Sequence, residues 1–293
     1  MRISFEDKVY YIIVYTISFI LLLAVLYPMI LILSSSFSSP NAVSTGRVTL
    51  LPVEAGLQGY KAVFKDSRIA IGYRNTIFYT VAGTLINVTM TLICAYPLAR
   101  KKLPHRGFFT FFITFTMLFS GGMIPNYLLL RNLHMLNTIW AMIIPGAFAV
   151  YSMIITRTFI ATAIPDELLE ATQIDGCNDI KYFFLFILPL SKAVIAVITM
   201  QYAVGHWNAY FNAFIYLTRK ELYPLQVFLR EILVMNQIAT SDIVDPETAM
   251  AMQGLADLLK HSLIVISSAP ILCIYPFFQK YFVKGVMIGS IKG

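Results

Sequence analysis

The chain has 293 residues, 58% of them hydrophobic and 13% charged, with a formal net charge of +7. Soluble domains run near a quarter charged, so a chain with a mean hydropathy of +0.73 carries more apolar surface than one soluble core can hide, and its main solvent is lipid. The positive balance does not point to nucleic acid, because no basic run alternates with aromatics on a polar surface; Lys and Arg near span ends are ordinary for inner-membrane proteins.

The first apolar run begins after Lys8. It is too long for the hydrophobic part of a signal peptide and no A-x-A site follows it, so it is expected to stay as an anchor and first span. Six runs reach the roughly 20 residues that a bilayer requires: about 9–33, 76–98, 108–130, 138–160, 193–217 and 262–282. Backbone groups in lipid must be paired internally, and these runs lack the alternation of barrel strands. The predicted fold is therefore all-α, one integral membrane domain over residues 1–293 with six transmembrane helices. The short loop after the second run holds Arg100, Lys101, Lys102 and Arg106, whereas the short loop after the third holds only Arg131. That contrast places the first of these loops, and with six spans both termini, in the cytoplasm. The long segment 34–75 carries Arg47, Lys61, Lys65, Arg68 and Arg74, but long loops report orientation poorly.

Within the third run, Gly121-Gly122 can break the helix or allow close packing, and with Pro125 following it predicts a kink. Arg157, near the inner end of the fourth, is expected to snorkel to the headgroups. The segment 161–192 that follows is predicted to be an inner loop of two short helices. Pro165 opens the first, with Asp166 and Glu167 favoured by the helix dipole, and Leu168, Leu169, Ala171 and Thr172 make it amphipathic. Gly176 permits a turn, and Asn178 or Asp179 caps a second helix expected to end before Pro189. Such punctuation predicts a rigid element on the membrane face, able either to transmit force from a partner or simply to connect two spans.

The fifth run is unusually polar. Gln201, His206, Trp207, Asn208, Tyr210 and Asn212 are costly facing lipid and are candidates to line a solute route, with hydrogen-bonding groups and flat apolar faces. Asn126 and Tyr151 are secondary candidates for the same route. The alternative for each is helix–helix hydrogen bonding. His206 has no second ligand at metal spacing, so no metal site is expected. Cys94, Cys177 and Cys273 give no framework. No phosphate-binding P-loop, nucleophile elbow or zinc-binding H-E-x-x-H occurs, so no catalytic residue is assigned.

The inner loop resembles the E-A-A-x3-G-x9-I-x-L-P signature of the membrane subunits of bacterial binding-protein-dependent ABC importers. Glu170, Ala171, Gly176, Leu188 and Pro189 match in register; Thr172 replaces the second alanine, and Phe186 stands at the isoleucine with Ile187 beside it. Asn75, the run from Ala95 to Arg100 and Arg106-Gly107 look like the second-span region of carbohydrate-importer permeases. The run Phe119 to Tyr127, Gly205-His206-Trp207-Asn208 and Tyr223-Pro224-Leu225-Gln226 resemble the LplC-like and alginate-importer group, and Gly285 to Gly293 resembles the tail of the maltose-type second permease.

The resemblance implies a complex: a second, non-identical permease, two copies of an ABC ATPase that use ATP and Mg, and an extracytoplasmic solute-binding protein. This chain would bind no cofactor. Glu170, Ala171, Asp175, Gly176, Leu188 and Pro189 would face the ATPase, and Ser290 and Lys292 of the tail would reach between the ATPases. The implied solute is an oligosaccharide or polysaccharide, uronate-rich ones such as alginate included. The alternatives are an ABC permease for another solute class and a secondary transporter, although the spans lack the acidic relay residues that the latter uses.

Overall fold

A computed structural model describes residues 5–241 and 246–290, and every regular element among them is helical. In chain order these are α1 (Phe5–Ser36), α2 (Pro40–Ser44), α3 (Gln58–Lys65), α4 (Ser67–Ala99), α5 (Arg106–Leu118), α6 (Met123–Asn132), α7 (Trp140–Ile143) and α8 (Val150–Ala163). There follow α9 (Asp166–Ile174), α10 (Asp179–Tyr182), a π turn (Phe183–Ile187), α11 (Leu188–Leu190), α12 (Lys192–Trp207), α13 (Phe211–Tyr216), a 3-10 turn (Lys220–Leu222), α14 (Leu225–Ser241) and α15 (Pro246–Ser290). Contacts divide the chain into two compact units, one of residues up to 70 with 228–270, the other of 71–227 with 271 onward.

In the first unit, α1 exposes its apolar side chains almost to its end and buries only Ser34, Ser35 and Ser36. Those serines tie the helix to the segment that follows. Ser34 Oγ donates to Leu50 O at 2.7 Å, and Ser36 Oγ lies 2.8 Å from the Tyr60 hydroxyl. Ser39 caps α2 by accepting from Ala42 N, and its hydroxyl donates to Glu54. That hydrogen bond, helped by Arg47, holds the Glu54 carboxyl below its ordinary range. Asp66 likewise lies below its range, held there chiefly by the Arg68 guanidinium at 2.6 Å.

The second unit is organised around α4, which supplies residues to four apolar clusters. At its start Asn75 Nδ2 donates to Glu221 O and Tyr223 O, the Tyr79 hydroxyl donates to Leu222 O, and Thr76 Oγ1 accepts from Leu225 N. Three carbonyls of the segment 221–223 and the first amide of α14, groups that helix bonding leaves open, are paired in this way.

Three of the expected spans are not continuous. The third is broken, one of the outcomes open to Gly121-Gly122: α5 and α6 meet at 110°, because Gly122 adopts φ 85° and ψ 177°, a backbone region essentially reserved for glycine. The fourth divides at residues 144–149, where Pro145 and Gly146 separate α7 from α8; Pro145 has no N–H to give a helix. The fifth stops at Trp207 and resumes as α13. Among the described residues three helices are long and apolar enough to cross a membrane, or five if each bent pair is one span. The second short helix of the inner loop does not end before Pro189. It passes through the π turn into α11, with Pro189 in α11's first turn. Pro189 cannot donate one turn back, and the backbone registers that missing bond as a wider turn. Lys292 lies outside the described residues, as does the side chain of Ser290.

Candidate functional site

The segment after α8 folds as a hairpin. Asp166 and Glu167 occupy the first turn of α9, where the helix dipole favours anions. Leu169 and Thr172 face inward, each 6% exposed, while Glu170, Ala171, Gln173 and Ile174 face outward. Thr172, the substitution in the signature, satisfies its hydroxyl by donating to Leu169 O at 2.9 Å, so the change leaves no polar group unpaired. The chain reverses at Gly176, whose φ of +75° disfavours any residue with a Cβ. Asn178 then caps α10, its Oδ1 accepting from Lys181 N at 2.8 Å.

Beneath the hairpin lies an apolar seat formed by Tyr96 and Ala99 of α4, Ile160 and Ile164 at the end of α8, and Leu169, Tyr182 and Ile187. Around its rim, three consecutive cations meet three acids. Arg100 Nη1 is 3.1 Å from Asp179 Oδ1, Lys101 Nζ is 2.8 Å from Asp166 Oδ2, and Lys102 Nζ is 3.2 Å from Glu170 Oε1. The Lys101 hydrogen bond holds the Asp166 carboxyl below its ordinary range, and the same bond raises the Lys101 ammonium. The hairpin is thus a stiff ledge with an outward face of Glu170, Ala171, Ile174, Asp175 and Gly176. Ile174, on that face, is 87% exposed. Leu188 and Pro189 do not join that face; they follow the π turn, with Pro189 exposed.

A second group of polar residues lies inside the helices. Asn87 of α4 donates through Nδ2 to Gly146 O, and its Oδ1 lies 2.7 Å from His206 Nε2. One buried amide therefore holds both α12 and the non-helical segment before α8. Gly83, one turn earlier, lets the imidazole lie against α4: a Cβ there would stand 2.4 Å from His206 Nε2. Further along, Thr91 Oγ1 and the Tyr202 hydroxyl are 2.8 Å apart, and Ser152 Oγ reaches Gln201 Oε1 at 3.4 Å.

The residues expected along a solute route therefore separate. His206 is engaged in binding helices together. Trp207 is buried against the Tyr73 ring, centroids 6.2 Å apart, and Asn208 donates to Val204 O within its own helix. Gln201 and Asn208 are exposed on one side of α12 with Gly205 between them, and Asn212 is exposed on α13. Tyr210, Asn126 and Tyr151 are also exposed. Arg157, expected at the headgroups, donates to Leu98 O at 3.2 Å and so caps the end of α4. Sequence reasoning missed Gly83, Asn87 and Thr91. The available signal was Thr80, Thr84, Asn87 and Thr91 at intervals of four, three and four, one face of a helix otherwise apolar. Among the described residues no cluster of His, Cys, Asp or Glu could hold a metal ion.

A scan against protein-family models matches none. Against individual proteins, the chain is 35% identical over 288 residues to the polygalacturonan/rhamnogalacturonan transport system permease protein YtcP of Bacillus subtilis (strain 168), covering 98% of this chain and 100% of that one. The chain belongs to the sugar ABC transporter permeases. It is also 38% identical over 267 residues to protein LplC of the same organism, covering 91% of this permease and 89% of that protein. Among solved structures, it aligns with a chain of a bacterial ABC transporter involved in the import of the acidic polysaccharide alginate. That alignment has a TM-score of 0.84 and 35% identity, and it covers 95% of this permease and 98% of that chain. A permease of this family is a multi-pass membrane subunit of a larger transporter. The ledge at α9 and the polar side of α12 are accordingly features of a transport subunit.

Proposed function

We propose that this permease imports a uronate-rich oligosaccharide or polysaccharide, driven by ATP hydrolysis on a separate ATPase that grips the α9 hairpin from the cytoplasm. The observation that carries the reading is the hairpin itself: an amphipathic helix seated firmly on one side, with Glu170, Ala171, Ile174 and Gly176 presented outward. A stiff exposed helix passes applied force to its neighbours, whereas a flexible loop dissipates it.

The complex would hold this permease, a second non-identical permease, two ATPase copies that use ATP and Mg, and an extracytoplasmic binding protein. The chain would cross the membrane six times, with the broken α5–α6, α7–α8 and α12–α13 segments counted as spans and both termini cytoplasmic. Ser290 and Lys292 would meet the ATPases. Irregular backbone at membrane depth is tolerated where it is buried in protein or lines a water-filled cavity, which suits the exposed Gln201, Asn208 and Asn212 as part of the route. The solute class is supported by the relatives' names, which give polygalacturonan, rhamnogalacturonan and alginate, all of them acidic glycans.

The test is reconstitution in proteoliposomes with the cognate ATPase, second permease and binding protein, offered galacturonan and alginate oligosaccharides and neutral maltooligosaccharides. The acidic oligosaccharides are expected to stimulate ATP hydrolysis and to accumulate inside. Stimulation by the neutral sugars alone would overturn the solute class. Uptake by this chain without an ATPase would overturn the mechanism.

A further inference from the structure

The hairpin is attached to the rest of its unit covalently at two places, through α8 and through α12. The structure adds a third attachment. Arg100, immediately after α4, has a side chain only 20% exposed. Its Nη1 donates to the Tyr96 hydroxyl at 2.7 Å and to Asp179 Oδ1 at 3.1 Å, and its guanidinium carbon lies 5.7 Å from the Tyr96 ring centroid. Tyr96 in turn packs on Tyr182 and Phe183, with ring centroids 6.5 and 5.3 Å away. The neighbouring pairs of Lys101 and Lys102 are well exposed on both sides, and pairs of that kind are individually weak and screened by salt. Arg100 is the member of the three that is covered, is bonded through Nη1 to two different elements, and places its guanidinium over an aromatic ring.

We propose that Arg100 is a positioning residue that fastens the α9–α10 hairpin to the end of α4, so that displacement of the hairpin moves α4 together with α8 and α12. The consequence lies along α4. Asn87 is 13 residues from Arg100 in sequence, roughly 20 Å along a helix, and it holds Gly146 O and His206. An α4 that follows the hairpin therefore shifts the anchor of the non-helical segment 144–149 and of α12 at once. An α4 released from the hairpin would leave that anchor behind while α8 and α12 are pulled from their ends.

This inference rests on the reading of the hairpin as the ATPase's grip, and the experiment separates the two. In the assembled complex, a cysteine replacing Ile174 is crosslinked to the ATPase. In parallel, Arg100→Gln, Arg100→Lys and Asp179→Asn are compared for assembly, basal ATP hydrolysis, and solute imported per ATP hydrolysed. The solute is whichever acidic trisaccharide, galacturonan or alginate, stimulates the unmutated complex. Arg100→Gln is expected to assemble, to crosslink and to hydrolyse ATP at the basal rate, while import per ATP falls at least five-fold. Arg100→Lys, which keeps the charge but loses the guanidinium lying over the Tyr96 ring, is expected between Arg100→Gln and the unmutated complex. Asp179→Asn is expected to fall in the same direction by less. Failure of position 174 to crosslink overturns the underlying reading. An unchanged import ratio in Arg100→Gln with the crosslink intact overturns the fastening alone, as does a loss of import matched by an equal loss of assembled complex.

Discussion

Gly83 and Gly205 would receive the same added methyl group with opposite results. At Gly83 a Cβ meets the His206 ring at 2.4 to 2.9 Å, whereas at Gly205 it meets nothing within 4 Å. Overpacking a fitted contact costs about 1–3 kcal/mol, and replacing an unconstrained helical glycine by alanine stabilises by up to about 1 kcal/mol. Gly83→Ala should therefore lower the thermal midpoint of the purified protein, and Gly205→Ala should hold or raise it. Equal effects at the two positions would show that the His206 ring is not seated on α4. Asn87 belongs to the same contact. Asn87→Ala breaks two hydrogen bonds between elements, one to the exposed Gly146 carbonyl and one to the half-buried imidazole, each worth about 0.5–1.5 kcal/mol. It should therefore destabilise more than Thr91→Val, which loses a single neutral hydroxyl bond to Tyr202; the comparison is read from the same melts.

Two elements owe their shape to single backbone constraints. The break between α5 and α6 depends on Gly122, and Gly122→Ala there should cost about 1–3 kcal/mol, measured as a lower unfolding midpoint. At the hairpin, the sign of the pH dependence follows from the Lys101–Asp166 bond. The Asp166 value is lowered and the Lys101 value is raised. The bond therefore contributes fully above the ordinary carboxylate range and is lost as pH falls through the lowered Asp166 value. It is lost again only as pH rises through the raised Lys101 value. Hydrogen exchange of α9 amides, corrected for intrinsic rate, should stay level from about pH 6 to 9 and rise below about pH 4. Asp166→Asn should remove that particular acid step. A step near pH 7 would mean that some other group governs the hairpin.

The molecule as a whole divides its apolar surface unevenly. α1 leaves its side chains from Phe5 to Leu33 almost wholly outward, while α4 buries Tyr79, Asn87, Thr91 and Ala95. Lipid and the other subunits of an ABC transporter are the surroundings in which such a surface is stable. How much of this was legible beforehand depended on the kind of signal. Hydropathy marks α1, α4 and α15 because long charge-free runs need no tertiary information to be recognised. The hairpin was legible because Pro165, Gly176 and Asn178 act on the backbone locally. The breaks in the fourth and fifth runs are hidden because composition averages over them: Pro145 and the Asn208–Tyr210 segment interrupt the helix without lowering hydropathy enough to divide a run, whereas Gly121-Gly122 marks the third.

By itself, then, the sequence determined that this protein lives in a membrane, is built of helices and carries a punctuated hairpin at α9, since each of these follows from local pattern and backbone preference. Only the tertiary structure decided that Arg100 and its two lysines clasp that hairpin and that Asn87 joins Gly146 to His206. Those partners stand 59 to 119 residues apart, and side-chain pairing at that separation leaves no periodic trace along the chain.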